Sequence, residues 1–186
     1  MELQLYARVG TFMNTVFHKP CWLLLVLVLG ITGCQKYSVS LNDKVIYTPP
    51  GLFKDYQITD ELLAGCVEQT ISDKQITQIE QLTQLNCSNA GIRSLAGLEK
   101  FYALSELNLA YNQLTDVTTL GKLARLQRLV LTGNPIEDAT ALLPLVNLQE
   151  LNLAEVSRLR CASLDQLKRN LAEQKAKVIW PGHCDS

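Results

Sequence analysis

Six cysteines and two histidines are the residues of this 186-residue chain best suited to chemistry, and their spacing decides which chemistry is open to them. No two cysteines form a CxxC pair, so neither a zinc ribbon nor a thioredoxin-like redox site is indicated. His18 and His183 stand at opposite ends of the chain. That leaves no histidine cluster for a metal and no serine, histidine and aspartate set for acyl transfer. There is no glycine-rich phosphate loop and no HExxH helix. His183 precedes Cys184, and a disulfide cysteine beside a histidine in a terminal loop is a simpler reading of that pair than a nucleophile with its base. The expectation is a non-catalytic chain without cofactor or metal. A net charge of −1 with 19% charged residues provides no basic footprint for nucleic acid. So many cysteines fit an oxidising compartment.

The N-terminus points to such a compartment. Arg8, His18 and Lys19 precede the apolar run from Cys21 to Ile31, which is followed by Thr32, Gly33 and Cys34. As a helix the run would span roughly 16 Å, about half of a ~30 Å hydrocarbon core, so it reads as a signal peptide and not as a retained anchor. Ile31-Thr32-Gly33-Cys34 resembles the lipobox of bacterial lipoproteins. The resemblance implies cleavage before Cys34, a diacylglycerol on its thiol and acylation of the new amino group. Each buried methylene contributes about 0.8 kcal/mol, so several acyl chains hold a protein on a bilayer where one would not. Gln35 in place of aspartate resembles the outer-membrane sorting signal. The expected location is therefore the bacterial cell envelope, lipid-anchored at the outer membrane. Translation from Met13 would give a more ordinary leader than translation from Met1.

Beyond Cys34 a period of 22 residues organises the chain. Leucines recur at Leu82, Leu104, Leu126 and Leu148, and at Leu85, Leu107, Leu129 and Leu151, beside the column Cys87, Leu109, Leu131, Leu153. Four more apolar columns follow, headed by Ile92, Leu95, Leu98 and Phe101. Asn112 and Asn134 stand where each unit would leave its strand, a place where a side-chain amide can satisfy backbone groups. The first unit has Ala90 there, and the fourth has Val156. The segments LSELNLAYNQL from Leu104 and LQRLVLTGNPI from Leu126 resemble leucine-rich repeats, in particular the 22-residue class of the internalins. The resemblance implies an α/β fold, a short solenoid with parallel strands on the concave face and 3₁₀ or short helices on the convex face. The xLxLx alternation agrees with strands of period two.

Both ends of such a stack need covering. Thr59 to Gln69 reads as an amphipathic helix capped by Thr59 or Asp60, with Leu62, Leu63, Cys66 and Val67 on its inner face. Ser163 and Gln166 suggest a capping box for a second helix through about Lys175, its leucines 164, 167 and 171 inward. Lys177 to Trp180 then reads as a closing edge strand with Trp180 as plug. The chain divides accordingly into a signal peptide (1–33), a tether or N-terminal strand segment (34–58), an N-terminal cap (59–78), leucine-rich repeats (79–160) and a C-terminal cap (161–186). Within the tether, Val39 to Tyr47 could form a hairpin or stay extended.

Removal of the signal peptide and acylation of Cys34 leave Cys66, Cys87, Cys161 and Cys184. Three connectivities are open. Cys66 with Cys87 and Cys161 with Cys184 is favoured, because each bridge then staples one cap to its neighbouring repeat. Cys87, in a leucine column, could instead be a buried free thiol.

The side chains that alternate with the leucines form three concave rows. The first is Gln84, Glu106, Arg128 and Glu150, a possible mixed-charge ladder. The second is Asn86, Asn108, Val130 and Asn152; the third is Ser88, Ala110, Thr132 and Ala154. These rows are the candidate ligand face, and the expected partner is a protein or peptide, with a cell-wall glycan as a further possibility. The alternative is a structural lipoprotein that scaffolds a membrane complex through its tether and convex side.

Overall fold

The computed structural model describes Val39–Leu41, Lys44–Tyr47 and residues 50–184. The signal peptide and Cys34 lie outside these residues. Strands β1 (Val39–Leu41) and β2 (Lys44–Tyr47) pair antiparallel as a hairpin and belong to a unit of their own.

The second unit begins at Pro50. Helix α1 (Glu61–Asp73) starts at Asp60, whose Oδ1 accepts from the backbone N–H groups of Leu62 and Leu63 at 3.0 and 3.1 Å. Leu63, Val67 and Ile71 recur every fourth residue and are fully buried, which lays one face of the helix on the first repeat. Leu62 departs from expectation: one position off that stripe, it is 54% exposed. The helix also runs one turn beyond Gln69, because Ile71 still has core to cover.

The repeat strands β3 (Gln84–Asn86), β4 (Glu106–Asn108), β5 (Arg128–Val130) and β6 (Glu150–Asn152) form a parallel sheet in sequence order. Each strand pairs with the next in 22-residue register, Leu85 with Leu107, Leu129 and then Leu151. Between strands the chain crosses back through 3₁₀ turns at Leu98–Lys100, Thr118–Lys122 and Thr140–Leu142. Two of these turns are set by an Asp-x-Thr unit. Asp116 accepts from the Thr118 backbone at 2.8 Å, and Asp138 from that of Thr140 at 2.8 Å. Hydrogen bonds from the threonine hydroxyl and backbone hold both carboxyls below the usual aspartate range. All seven apolar columns are buried through their first three members, including Cys87 and Ala139.

Asn112 and Asn134 are buried among those columns. The Asn112 amide donates to the Cys87 and Leu109 carbonyls at 2.8 and 2.9 Å and accepts from the Ala90 and Ile92 N–H groups at 3.1 and 3.0 Å. Asn134 repeats the pattern one coil later, donating to Leu109 and Leu131 at 2.9 Å and accepting from Leu114 at 3.1 Å. Each asparagine therefore bonds its own coil and the preceding one. In the last repeat Val156 fills this place and is buried, Arg158 turns outward, and Leu159 supplies the apolar contact one position later.

The ends are closed by different devices. At the N-terminal end, Phe53 and Tyr56 pack edge-on against Phe101 at centroid distances of 6.4 and 5.2 Å. Residues 52–58, expected within the tether, instead cover the solenoid, because these aromatic rings bury area there. Gly97 has φ +97°, and a Cβ on it would lie 2.0 Å from the Gln57 carbonyl, so only glycine lets this segment pass. At the other end a 3₁₀ turn over Cys161–Leu164 leads into α2 (Asp165–Glu173), with Leu167 and Leu171 buried. The capping box does not form. The Ser163 hydroxyl donates to the Arg160 carbonyl at 2.7 Å and Gln166 bonds Asn170, since the 3₁₀ turn places the start of α2 after Ser163. Strand β7 (Lys177–Ile179) joins β6 in parallel as the sheet edge, and Trp180 is half-buried against the core with the Lys168 ammonium 5.5 Å from its ring centroid. Disulfides join Cys66 to Cys87 and Cys161 to Cys184, the favoured connectivity. In the chain-entropy account a loop of this size stabilises by about 3 kcal/mol.

Two outcomes follow. Asn134→Ala strands several buried backbone groups and lowers the unfolding free energy by about 2–4 kcal/mol in urea titrations with disulfides intact. Asn147→Ala, which removes one exposed bond to the Ala124 carbonyl, costs less than about 1 kcal/mol; equal losses would deny the ladder its role. Asp60 also accepts from the N–H groups of Arg93 and Ser94, at 2.8 and 3.1 Å. Burial raises its pKa, but the four backbone donors outweigh it and hold the carboxyl below its ordinary value of 3.8. A depressed folded pKa contributes stability above the unfolded value and loses it as pH falls through the folded one. Asp60→Asn is thus destabilised at neutral pH, with a deficit that shrinks on acidification below the aspartate range. A deficit constant with pH would refute this.

Candidate binding face

The concave sheet carries the three expected rows, and the structure treats each differently. In the first, Arg128 Nε donates to Glu150 at 2.7 Å and a terminal guanidinium nitrogen to Glu106 at 3.3 Å, while Gln84 Nε2 donates to Glu106 at 3.1 Å. This is the mixed-charge ladder. It lies in solvent, with Arg128 52% exposed, so screening leaves each pair worth well under about 1 kcal/mol. Strand β7 extends the row by placing Lys177 beside Glu150, and extends the second row with Ile179 beside Asn152. Neither was legible in the sequence. The helix between β6 and β7 sets them 27 residues from their partners instead of 22, so the repeat period no longer assigns the register.

The second row has a fixed orientation. The side-chain oxygens of Asn86, Asn108 and Asn152 accept from the backbone N–H groups of Ser88, Ala110 and Ala154 at 3.2, 3.0 and 2.9 Å. Each asparagine closes the turn that ends its own strand, which commits the oxygen and leaves the NH₂ group for the concave side. Val130 interrupts the row with a half-buried apolar side chain.

The third row is largely withdrawn from the surface. Thr132 and Ala110 are each only 7% exposed, and Ser88 and Ala154 are half-buried. Thr132 was expected on the ligand face, but β5 ends at Val130 and Thr132 stands in the turn that follows, where it is buried. Its hydroxyl is buried without a protein partner. Just beyond it, Asn89, Tyr111, Gly133 and Glu155 form a column in which every φ is positive. The Tyr111 ring lies over Gly133, where a Cβ would come within 2.5 Å of it, and its hydroxyl donates to Glu155 at 3.3 Å. That explains a bulky residue in the left-handed region: its ring spans the next two coils.

A cleft of about 420 Å³ opens where α1 overhangs the sheet. Thr70, Asp73 and Lys74 form its wall; Gln84, Asn86, Glu106, Asn108, Arg128 and Val130 form its floor. The helix residues were missed by sequence reasoning because they project from a cap read only for its apolar face. Asp73 is engaged by Gln69 Nε2 at 2.7 Å, and Thr70 donates to the Cys66 carbonyl.

One further cluster bears metal-ligating atoms. Cys161, His183 and Cys184 bring theirs within 4.8 Å. The two sulfurs are bonded to each other, and the His183 Nε2 lies 2.8 Å from the Leu159 carbonyl. The group is a stapled terminus, with no thiolate to act as ligand or nucleophile. No helix among the described residues is long and apolar enough to cross a membrane.

Comparison with known proteins agrees with this geometry. Residues 103–144 match the family model for leucine-rich repeats, two copies. An internalin C2 from Listeria monocytogenes is similar over 57% of this chain and 51% of its own length, at 26% identity and a TM-score of 0.50. An internalin F from the same organism is similar over 57% of this chain and 34% of its own length, at 31% identity and a TM-score of 0.47. The chain thus spans about half the length of the first and a third of the second. No curated protein matches the chain. The 22-residue strand register, the buried asparagines shared between coils and the matched repeats together make this fold a short leucine-rich-repeat solenoid with a disulfide-stapled cap at each end.

Proposed function

We propose that this chain is a non-catalytic binding module, held on the bacterial envelope by lipid on Cys34, that recognises a protein or peptide partner through its concave sheet. One observation carries the reading. The outward side chains of β3 to β6 in the first two rows are exposed or half-buried, polar except for Val130, and take no part in the apolar columns, so core packing does not fix their identity. Surface that stability does not constrain is available for recognition. The similarity to an internalin supports the binding class. The lipobox-like Ile31-Thr32-Gly33-Cys34 supports the anchor, and Gln35 supports sorting to the outer membrane. Two bridged cysteine pairs accord with an oxidising compartment.

The binding face is tested by selecting ligands for the full chain from a phage-displayed random peptide library, then repeating the binding with Arg128→Ala. That variant shifts the unfolding free energy by less than about 1 kcal/mol and weakens the selected ligands. Ligands unaffected by it and by row substitutions at Asn108 and Glu150, but lost on convex substitutions, would move the site off the sheet. The anchor is tested by intact mass of the membrane-extracted protein before and after reduction. The expected mass is that of residues 34–186 plus lipid, with four cysteines alkylated only after reduction. An unprocessed, unlipidated chain would overturn both the anchor and the location.

A further inference from the structure

The cleft between α1 and the sheet has a chemical bias that becomes visible once the hydrogen bonds within the protein are subtracted. Of its charged groups, Glu106 is held by Arg128 and Gln84, and Asp73 by Gln69. Lys74 has no such partner. Its ammonium reaches only the Gln84 backbone carbonyl at 3.4 Å and pairs with no carboxylate among the described residues. On the floor, the Asn86 and Asn108 oxygens each accept from the turns at Ser88 and Ala110, and their NH₂ groups donate to no group among the described residues, which leaves both as donors to a ligand. Neighbouring strands lie about 4.8 Å apart, which sets these two donors side by side. Beyond them Val130 offers an apolar surface. The cleft therefore presents an ammonium, two adjacent amide donors and a hydrophobic contact in sequence across the strands, while its carboxylates, Glu106 and Asp73, each already accept from a side chain of the protein. It calls for a ligand rich in acceptors, carrying a negative group at one end and an apolar group at the other.

We infer that this cleft takes an extended peptide segment that places a carboxylate at Lys74, backbone carbonyls at Asn86 and Asn108, and an apolar side chain on Val130. The assignment rests on the concave-face reading above and narrows it. A peptide is favoured over a glycan because none of the residues lining the cleft is aromatic, and a sugar ring would have no flat face to stack on. A charge-assisted bond to Lys74 would discriminate an acid from its amide by at least about tenfold in affinity.

The test titrates the full chain with labelled pools of random hexapeptides in which one position is fixed as Asp or Glu, as Asn or Gln, or as Lys or Arg, and with a chito-oligosaccharide. The acidic pool binds most tightly, at least about tenfold better than the amide pool. That preference disappears in Lys74→Glu and in the double variant Asn86→Asp, Asn108→Asp, with the far-UV circular dichroism unchanged. The aspartates keep the turn acceptor and replace each outward NH₂ with oxygen, so they reverse the floor without removing the turns. Should that double variant fold poorly, Lys74→Met, at an exposed position, keeps the question decidable. Equal binding of the acidic and amide pools, or no binding of any pool, overturns the assignment. Oligosaccharide binding that is lost in the Asn86 and Asn108 variants overturns the peptide but leaves the concave face as the site. Acidic-pool binding that survives the cleft variants and Arg128→Ala alike overturns both.

Discussion

A buried side-chain amide has four hydrogen-bonding positions to fill, and in this protein filling them joins one coil to the next. Asn112 and Asn134 sit where the chain leaves its strand, at a place that is fully apolar on one side and lined with unpaired backbone groups on the other. A hydrophobic residue there would bury cheaply but strand the Leu109 carbonyl and its neighbours; a charged one would add a desolvation penalty. Asparagine alone offers donors and an acceptor within one short planar group. Because each reaches back to the previous coil, the spacing between coils is fixed by hydrogen-bond length as well as by leucine packing. The parallel register of β3 to β6 depends on that spacing.

The same arrangement explains why both ends need separate solutions. An interior coil is satisfied by neighbours on two sides; a terminal coil has only one. At the N-terminal end Asp60 stands in for a missing coil, one oxygen starting α1 and the other accepting from the Arg93 and Ser94 backbone. At the C-terminal end Val156 fills the asparagine's place with an apolar side chain, and α2 with β7 covers the final layer. Each disulfide lies where a cap meets a repeat, so the covalent bonds reinforce contacts that have packing on one side only.

Stability and recognition are consequently carried by different side chains of the same strands. Leu85, Leu107, Leu129 and Leu151 face the columns; Gln84, Glu106, Arg128 and Glu150 face solvent and bond mainly to one another. Asn86, Asn108 and Asn152 do both, closing a turn with one atom and leaving the other outward. α1 adds a wall to this sheet at one end only, which turns an open surface into a cleft beside the first three strands.

The sequence by itself determined the repeat, its register through β6 and the membership of the two outer rows, because a strict 22-residue period carries the alternation of strand faces from one coil to the next; it favoured one disulfide pairing among three, and the structure decided it. It failed where the period was interrupted or a strand had already ended. Leu62 and Leu63 are adjacent leucines, and only the docking of α1 decides which is buried. Ser163 and Gln166 have capping-box spacing, but the preceding 3₁₀ turn claims the serine first. Thr132 alternates correctly for the concave face, yet β5 has ended two residues before it and the turn buries it. The α1 wall of the cleft, and the alignment of Lys177 with Glu150, arise from contacts between segments whose separation obeys no repeat. Local periodicity determines which face a residue takes within a coil; only tertiary packing decides what non-repeating segments bring to that face.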